Sequence, residues 1–160
     1  MIIRTATIDD LDEVTRVEAE CFNKAEAAKK EDFEKRLAYY ANHFWLMFDE
    51  GKLVAFVDGM VTDISDLDDK MYEDASMHNE AGAWQMIFGV NTIPKYRNKG
   101  LAGELIKTAI HDAKVQGRQG LVLTCKKELI HYYEKFGFIN EGVSTSTHGD
   151  VVWYQMRLKF

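Results

Sequence analysis

The stretch KYRNKGLAGELI, residues 95–106, places three basic side chains and two glycines directly ahead of an apolar repeat. A glycine turn that opens a helix is an anion site, because the first-turn amides lack internal acceptors and the helix dipole puts partial positive charge there. Gly100 lets the backbone approach a ligand with no side chain in the way and tolerates positive φ. Arg97 and Lys99 add charge-assisted contacts suited to phosphate. The chemistry on offer is the holding of a phosphate group, and spacing decides which compound carries it. A Walker loop needs GxxxxGK followed by Ser or Thr, and no such run is present. A dinucleotide fingerprint needs GxGxxG with an acid about 20 residues further on, which Gly100-Leu101-Ala102-Gly103 does not supply. A third pattern, Arg/Gln-x-x-Gly-x-Gly/Ala, is matched at every fixed position by Arg97-Asn98-Lys99-Gly100-Leu101-Ala102.

The loop must be held between a strand and a helix, and the flanking residues provide both. Trp84–Val90 reads as a strand. Leu101, Leu105, Ala109 and Ala113, with Ala102, Ile106 and Ile110, recur at helical spacing, and Gly117 is placed to stop the helix. Upstream, Ile2–Ala6 reads as a first strand. Thr7 with Asp10 then forms a capping-box start to a helix carrying Leu11, Val14, Val17 and Cys21 on one face. A second helix is expected over Lys29–Ala41, and two apolar runs, His43–Phe48 and Leu53–Val61, flank Asp49-Glu50-Gly51-Lys52 as a hairpin. Downstream, Gly120–Cys125 reads as a strand and Glu128–Phe136 as a short helix closed by Gly137. Glu141–Ser144 and Val151–Leu158 read as a final hairpin. These elements predict an α/β (α+β) domain over residues 1–160, with a mixed sheet and helices on both faces.

Of the 160 residues, 46% are hydrophobic and 29% charged, the profile of a globular chain. No apolar run reaches the roughly 18 residues of a membrane span. The start, MIIRTATIDDLDE, lacks the apolar core of a signal peptide, so a cytoplasmic location is expected. Cys21 and Cys125 form no CxxC pattern and read as reduced thiols, with no metal or disulfide role. A net charge of -6 excludes a general nucleic-acid binder. The acid is concentrated between Asp63 and Glu80, where seven acids face one lysine. That segment reads either as a solvated loop or as a negative rim that attracts a cationic substrate.

With its loop pattern, the chain resembles the GNAT acetyltransferase superfamily, and the likeness extends over nearly its full length. IIRTATIDDLDEVTRVEAECF is similar to the superfamily's first strand and helix. Trp84–Val90 is similar to its fourth strand, which in relatives splays from the fifth to admit the pantetheine arm. His131–Phe138 carries the family's Y-x-x-x-G-F segment. Leu123–Phe138 is most similar to the serotonin (arylalkylamine) N-acetyltransferase branch and its bacterial relatives. The resemblance implies a mostly antiparallel central sheet of about seven strands, with acetyl-CoA as cosubstrate. The CoA contacts it implies are Phe88, Gly89 and Val90 on the fourth strand, Arg97, Asn98, Lys99, Gly100, Leu101 and Ala102 in the loop, and Tyr133. It implies a small-molecule amine as acceptor, polyamine or arylalkylamine in kind. A homodimer is a further expectation, since relatives often pair. A protein or peptide N-acetyltransferase and a non-catalytic acyl-CoA-binding module are the alternatives.

Acetyl transfer to an amine needs a base, an oxyanion stabiliser and a proton for the leaving thiolate, because an alkylammonium with a pKa near ~10 must lose a proton before attack. The resemblance gives Tyr133 the role of proton donor to the thioester sulfur. Periodicity by itself reads it as a core residue, on one helical face with Leu129, Tyr132 and Phe136. The resemblance also implies that a backbone amide near Phe88–Val90 stabilises the oxyanion. The branch's paired histidines are absent from WQMIFGV, so the base is sought among His78 and Glu80 just ahead of that strand, or His148 and Asp150 in the final hairpin. Tyr39, Tyr40, Phe44, Trp45 and Trp84 read as core, with a substrate pocket as the other reading.

Overall fold

Thr7 starts the first helical segment as the sequence predicts. Its backbone amide donates to Asp10 Oδ2 (2.8 Å) and its hydroxyl accepts from the Asp9 amide (3.2 Å). The computed structural model describes residues 1–160. In chain order it contains β1 (Ile2–Thr5), α1 (Leu11–Cys21), α2 (Lys30–Tyr40), β2 (Phe44–Asp49), β3 (Lys52–Asp58), β4 (Val61–Thr62), α3 (Asp69–Glu73), β5 (Trp84–Ile87), β6 (Gly89–Thr92), α4 (Leu101–Val115), β7 (Gly120–Cys125), α5 (Ile130–Glu134), β8 (Ile139–Val143) and β9 (Tyr154–Lys159). The expected hairpin is β2–β3. Asp49 pairs with Lys52, and Glu50 and Gly51 both take positive φ (50° and 80°), the geometry of a two-residue turn matched to strand twist.

The strands form two sheets, ordered β1-β2-β3-β6 and β4-β5-β7-β9-β8. All pairs are antiparallel except β5 with β7, which α4 connects. This corrects two expectations, a single sheet of about seven strands and one continuous strand over Trp84–Val90. The chain changes partner at Phe88: Ile87 pairs with Leu123 on β7, and Gly89 pairs with Asp58 on β3. A run of alternating apolar residues looks the same whichever neighbour takes its hydrogen bonds, so sequence cannot place the split.

Helices cover both faces of the first sheet, as strand alternation requires. Phe44 and Phe56 meet Phe33 of α2 edge-on at 6.2 and 6.0 Å, whereas Trp45, one residue on, donates its indole N–H to Asp112 of α4 (2.7 Å). Tyr40, Phe44, Trp45 and Trp84 are all buried, so four of the five aromatics offered as core or pocket belong to the core. Tyr39 is exposed. Burying each such ring contributes on the order of 2 kcal/mol. Helix α4 ends at Gly117, with Arg118 N–H bonded to Ala113 C=O (3.0 Å) and Gly117 N–H to Lys114 C=O (3.1 Å).

Candidate functional site

Because β5 and β6 separate at Phe88, the last residues of β7, Thr124 and Cys125, have lost their neighbour on that side. Two cavities open around this fork and share Phe22 in their walls. One, of about 500 Å³, runs along the glycine loop and is lined by Val90, Arg97, Asn98, Gly100, Leu101 and Ala102, with Tyr96 and Tyr132 beside them. The other, of about 420 Å³, is lined by Phe88, Gly89 and Thr124 at the fork and by a group of acids.

The loop cavity fits a pyrophosphate. Gly100 has φ +79°, which L side chains adopt only with strain, and a Cβ there would meet nothing within 4 Å. The first bond of α4 is Glu104 N–H to Gly100 C=O (3.2 Å), so the amides of Leu101, Ala102 and Gly103 are left for a ligand. Arg97 is fixed by its Nε bond to Thr92 C=O (2.9 Å), and Lys99 lies over the Tyr96 ring. Gly103, outside the pattern, packs against α5: a Cβ there would come within 3.3 Å of Phe136. Of the residues tied to CoA by resemblance, Val90, Arg97, Asn98, Gly100, Leu101 and Ala102 line this cavity. Lys99 lies just outside it, and Phe88 and Gly89 face the acid cavity.

The floor of the acid cavity is assembled from three elements: Glu18 of α1, Arg36 of α2 and Asp58 of β3, all buried. Glu18 Oε2 accepts the Ala28 amide (2.8 Å). Burial pushes its carboxyl up to about 7, with neighbouring Asp58 adding to the rise and Arg36 opposing it. Asp58 is likewise pushed up to about 6 by burial, against the pull of Arg36 and the Gly89 amide. Arg36 Nη1 stands 3.6 Å from Asp58 Oδ2, beyond hydrogen-bond range, and both Arg36 Nε and Asp58 Oδ2 are buried without partners. From the acidic segment only Asp69 and Glu73 reach this cavity; Glu26 and Asp32 bring further negative charge. One wall is a run of rings in which Phe88 and Tyr72 lie 4.6 Å apart, Tyr72 and His148 5.6 Å, and His148 and Trp153 6.2 Å.

Helical spacing held a signal for these residues. Glu18 sits four positions after Val14, on the apolar face of α1, and Arg36 sits between Phe33 and Tyr40 on that of α2. A charge inside an apolar stripe is the informative exception to the burial pattern.

His78 and Glu80 are brought together, but away from both cavities. Glu80 accepts from His43 Nε2 and His78 Nε2 (3.0 Å each) and from Arg118 Nη2 (3.1 Å). Burial opposes its ionisation, yet the hydrogen bonds from His43 and His78 outweigh this and hold its carboxyl down at about 2. His78 Nδ1 accepts the Val61 amide (3.0 Å), so the ring proton lies on Nε2 and points at Glu80. A metal ion at Nε2 would need that proton moved to Nδ1, where an N–H already donates. His78 and Glu80, expected as candidates for the base, line neither cavity, and Glu80 already accepts from three charged or imidazole side chains. Of the other pair, His148 does line that cavity, its Nε2 donating to Glu26 C=O (3.2 Å), whereas Asp150 does not.

Tyr133 packs against Tyr132, which lines the loop cavity, and itself lines neither cavity. Its ring meets Tyr132 and Phe138 edge-on at 5.1 and 6.1 Å. Burial, with Cys125 and Tyr132 nearby, raises its hydroxyl pKa, so it stays protonated.

Comparison with known proteins accords with this geometry. The acetyltransferase (GNAT) family model matches residues 11–138. Serotonin N-acetyltransferase of Mesocricetus auratus is 28% identical over 111 residues, covering 69% of this chain and 52% of that protein. The chain thus matches about half the length of that relative. Among solved structures, the GphF GNAT-like decarboxylase in complex with isobutyryl-CoA superposes with a TM-score of 0.85 at 17% identity, over 99% of both chains. The PaiA N-acetyltransferase of Thermoplasma acidophilum, in complex with coenzyme A, does so with a TM-score of 0.72 at 16% identity, over 99% of this chain and 98% of that one. No helix is long and apolar enough to cross a membrane. From its glycine loop to the forked strand above it, this chain belongs to the acetyltransferase (GNAT) family.

Proposed function

We propose that the protein is an acetyl-CoA-dependent N-acetyltransferase whose acceptor is a small primary amine. The observation that carries this reading is the juxtaposition of two cavities at one strand fork, one lined by a phosphate-binding loop and the other by acids. The loop amides and Arg97 would hold the pyrophosphate, and acetyl-CoA supplies the activated acyl group. The acids raise the local concentration of an alkylammonium, and the ring wall from Phe88 to Trp153 accommodates its carbon chain. Beyond the fork β6 pairs with β3 alone, and its other edge would supply a donor to the carbonyl oxygen. The family resemblance assigns the proton for the departing thiolate to Tyr133, which burial keeps protonated and which lines neither cavity; Tyr133→Phe, with packing retained, tests that assignment through loss of kcat.

GphF is a decarboxylase by its name. In this chain an acid-lined cavity, with Arg36 already facing Asp58, would repel a carboxylated acyl group, and the amine reading is favoured. The test is free-thiol release from acetyl-CoA across straight-chain diamines, arylalkylamines and N-terminal peptides. Turnover of small amines is the expected result. Turnover confined to peptides would move the acceptor to that class. Acetyl-CoA binding without turnover on any acceptor would make the chain a non-catalytic acyl-CoA module.

A further inference from the structure

We propose that Glu18 is the proton acceptor that turns the bound alkylammonium into the attacking amine, an assignment that rests on the acetyltransferase reading above. The site is built for it. Glu18 lines the cavity with its Oε2 tethered to the Ala28 amide (2.8 Å) and Asn91 as its other neutral polar neighbour, so the carboxylate is held in place at the chamber wall. Helix α1, which carries Glu18, packs on β6, the strand that begins at the fork, so the carboxylate and the Phe88–Gly89 edge belong to the same small chamber. The charged and polar groups around Glu18 are Asp58 on β3, Arg36 on α2 and Asn91 on β6. Asp58 Oδ2 makes no hydrogen bond and faces Arg36 Nη1 at 3.6 Å, so two carboxylates share one guanidinium and the charge of the chamber favours a further cation.

Burial gives the carboxyl a proton affinity suited to neutral pH: pushed up to about 7, it is a far better base than an ordinary glutamate. His148, which also faces the cavity, lies further out, separated from Phe88 by the Tyr72 ring and bonded to Glu26 C=O. The proton balance closes. Glu18 takes one proton from R–NH3⁺ and later releases it to solvent. The nitrogen lone pair forms the C–N bond to the acetyl carbonyl carbon as the C–S bond breaks. Tyr133 gives its hydroxyl proton to the sulfur, and the second proton shed by the nitrogen on becoming an amide restores it.

The test pairs a strongly basic acceptor, 1,4-diaminobutane, with a weakly basic one, hydroxylamine, which is uncharged at neutral pH and needs no base. Glu18→Gln is expected to lower kcat/KM for diaminobutane at neutral pH by about 100-fold and for hydroxylamine by less than about threefold. The acid limb of the diaminobutane profile is expected to move upward, to the titration of the amine itself. Acetyl-CoA affinity should hold in the same variant. Glu18→Asp, which keeps the carboxylate, should restore the acid limb at reduced kcat, and it replaces Glu18→Gln if that variant does not fold. An equal loss on both acceptors, or an acid limb that shifts with His148→Gln and not with Glu18→Gln, overturns the assignment alone. No release of CoA by the wild-type protein with either acceptor overturns the acetyltransferase reading and the assignment with it.

Discussion

Glu18 and Glu80 are each surrounded by charged and polar groups, and their environments push them in opposite directions. Glu80 lies at the surface and collects donors from His43, His78, Arg118 and Asn42, so its carboxylate is satisfied and held down at about 2. Glu18 is buried beside Asp58, with the Ala28 amide and Asn91 too few to offset burial, and its carboxyl is held up at about 7. A saturated carboxylate ties elements together, here the end of α2 to the turn before β5. An undersupplied one has capacity left for a proton or a cation. The difference lies in how many hydrogen bonds each environment supplies against the cost of burial.

The sharpest way to break this contrast is to remove the cation that shares the Glu18 cluster. Arg36→Met leaves Asp58 and Glu18 buried without compensation and is expected to cost about 3–5 kcal/mol in urea unfolding at pH 8. At pH 5 both carboxyls keep their protons and the cost should shrink; a cost independent of pH would show that Arg36 acts through packing instead. Next comes linkage. The folded Glu18 carboxyl binds its proton more tightly than the unfolded one, so raising pH from about 4.5 to 7 strips the unfolded chain first and favours unfolding. Between those limits the stability of Glu18→Gln relative to wild type should rise by up to about 3 kcal/mol. A flat difference would mean that the carboxyl is not perturbed.

In turnover, Glu18→Gln should lose about 100-fold, about 2.7 kcal/mol of barrier, whereas Glu80→Gln should stay within about threefold of wild type. Comparable losses from the two would erase the distinction. On the other side of the fork, Gly100→Ala must adopt φ +79° with a Cβ, a strain of about 1 kcal/mol that should weaken CoA binding about fivefold by calorimetry. The smallest effect belongs to Glu80. Its carboxyl is held low in the folded state, so the stability it contributes is present above about pH 4.5 and is lost as pH falls toward 2. Because that side chain is 55% exposed, Glu80→Gln should cost less than about 1 kcal/mol at pH 7 and nothing near pH 2 in thermal melts.

Much of the scaffold was legible because its signals are local. The Thr7–Asp10 cap, the Glu50-Gly51 turn, the apolar stripe of α4 and the Arg97–Ala102 loop each depend on residues within a few positions of one another. Hence their spacing carries their geometry. The acidic segment left two readings open for the same reason. Seven acids within Asp63–Glu80 fit either a solvated loop or a negative rim. Once folded, they disperse into an N-cap at Asp68, a clamp on Ser146 and Thr147 from Asp69, an ion pair of Asp66 with Arg157 and the Glu80 cluster.

By itself the sequence determined the family, the phosphate-binding loop and the helices and hairpin that carry it, since backbone conformation and amphipathic period are written in near neighbours. The tertiary structure alone decided where Trp84–Val90 changes sheets and which carboxylate meets the fork. Strand partners are chosen across long separations, and Glu18, Arg36 and Asp58 come from three elements that only packing brings together. Their proton affinities follow from burial and from partners, which residue identity does not encode.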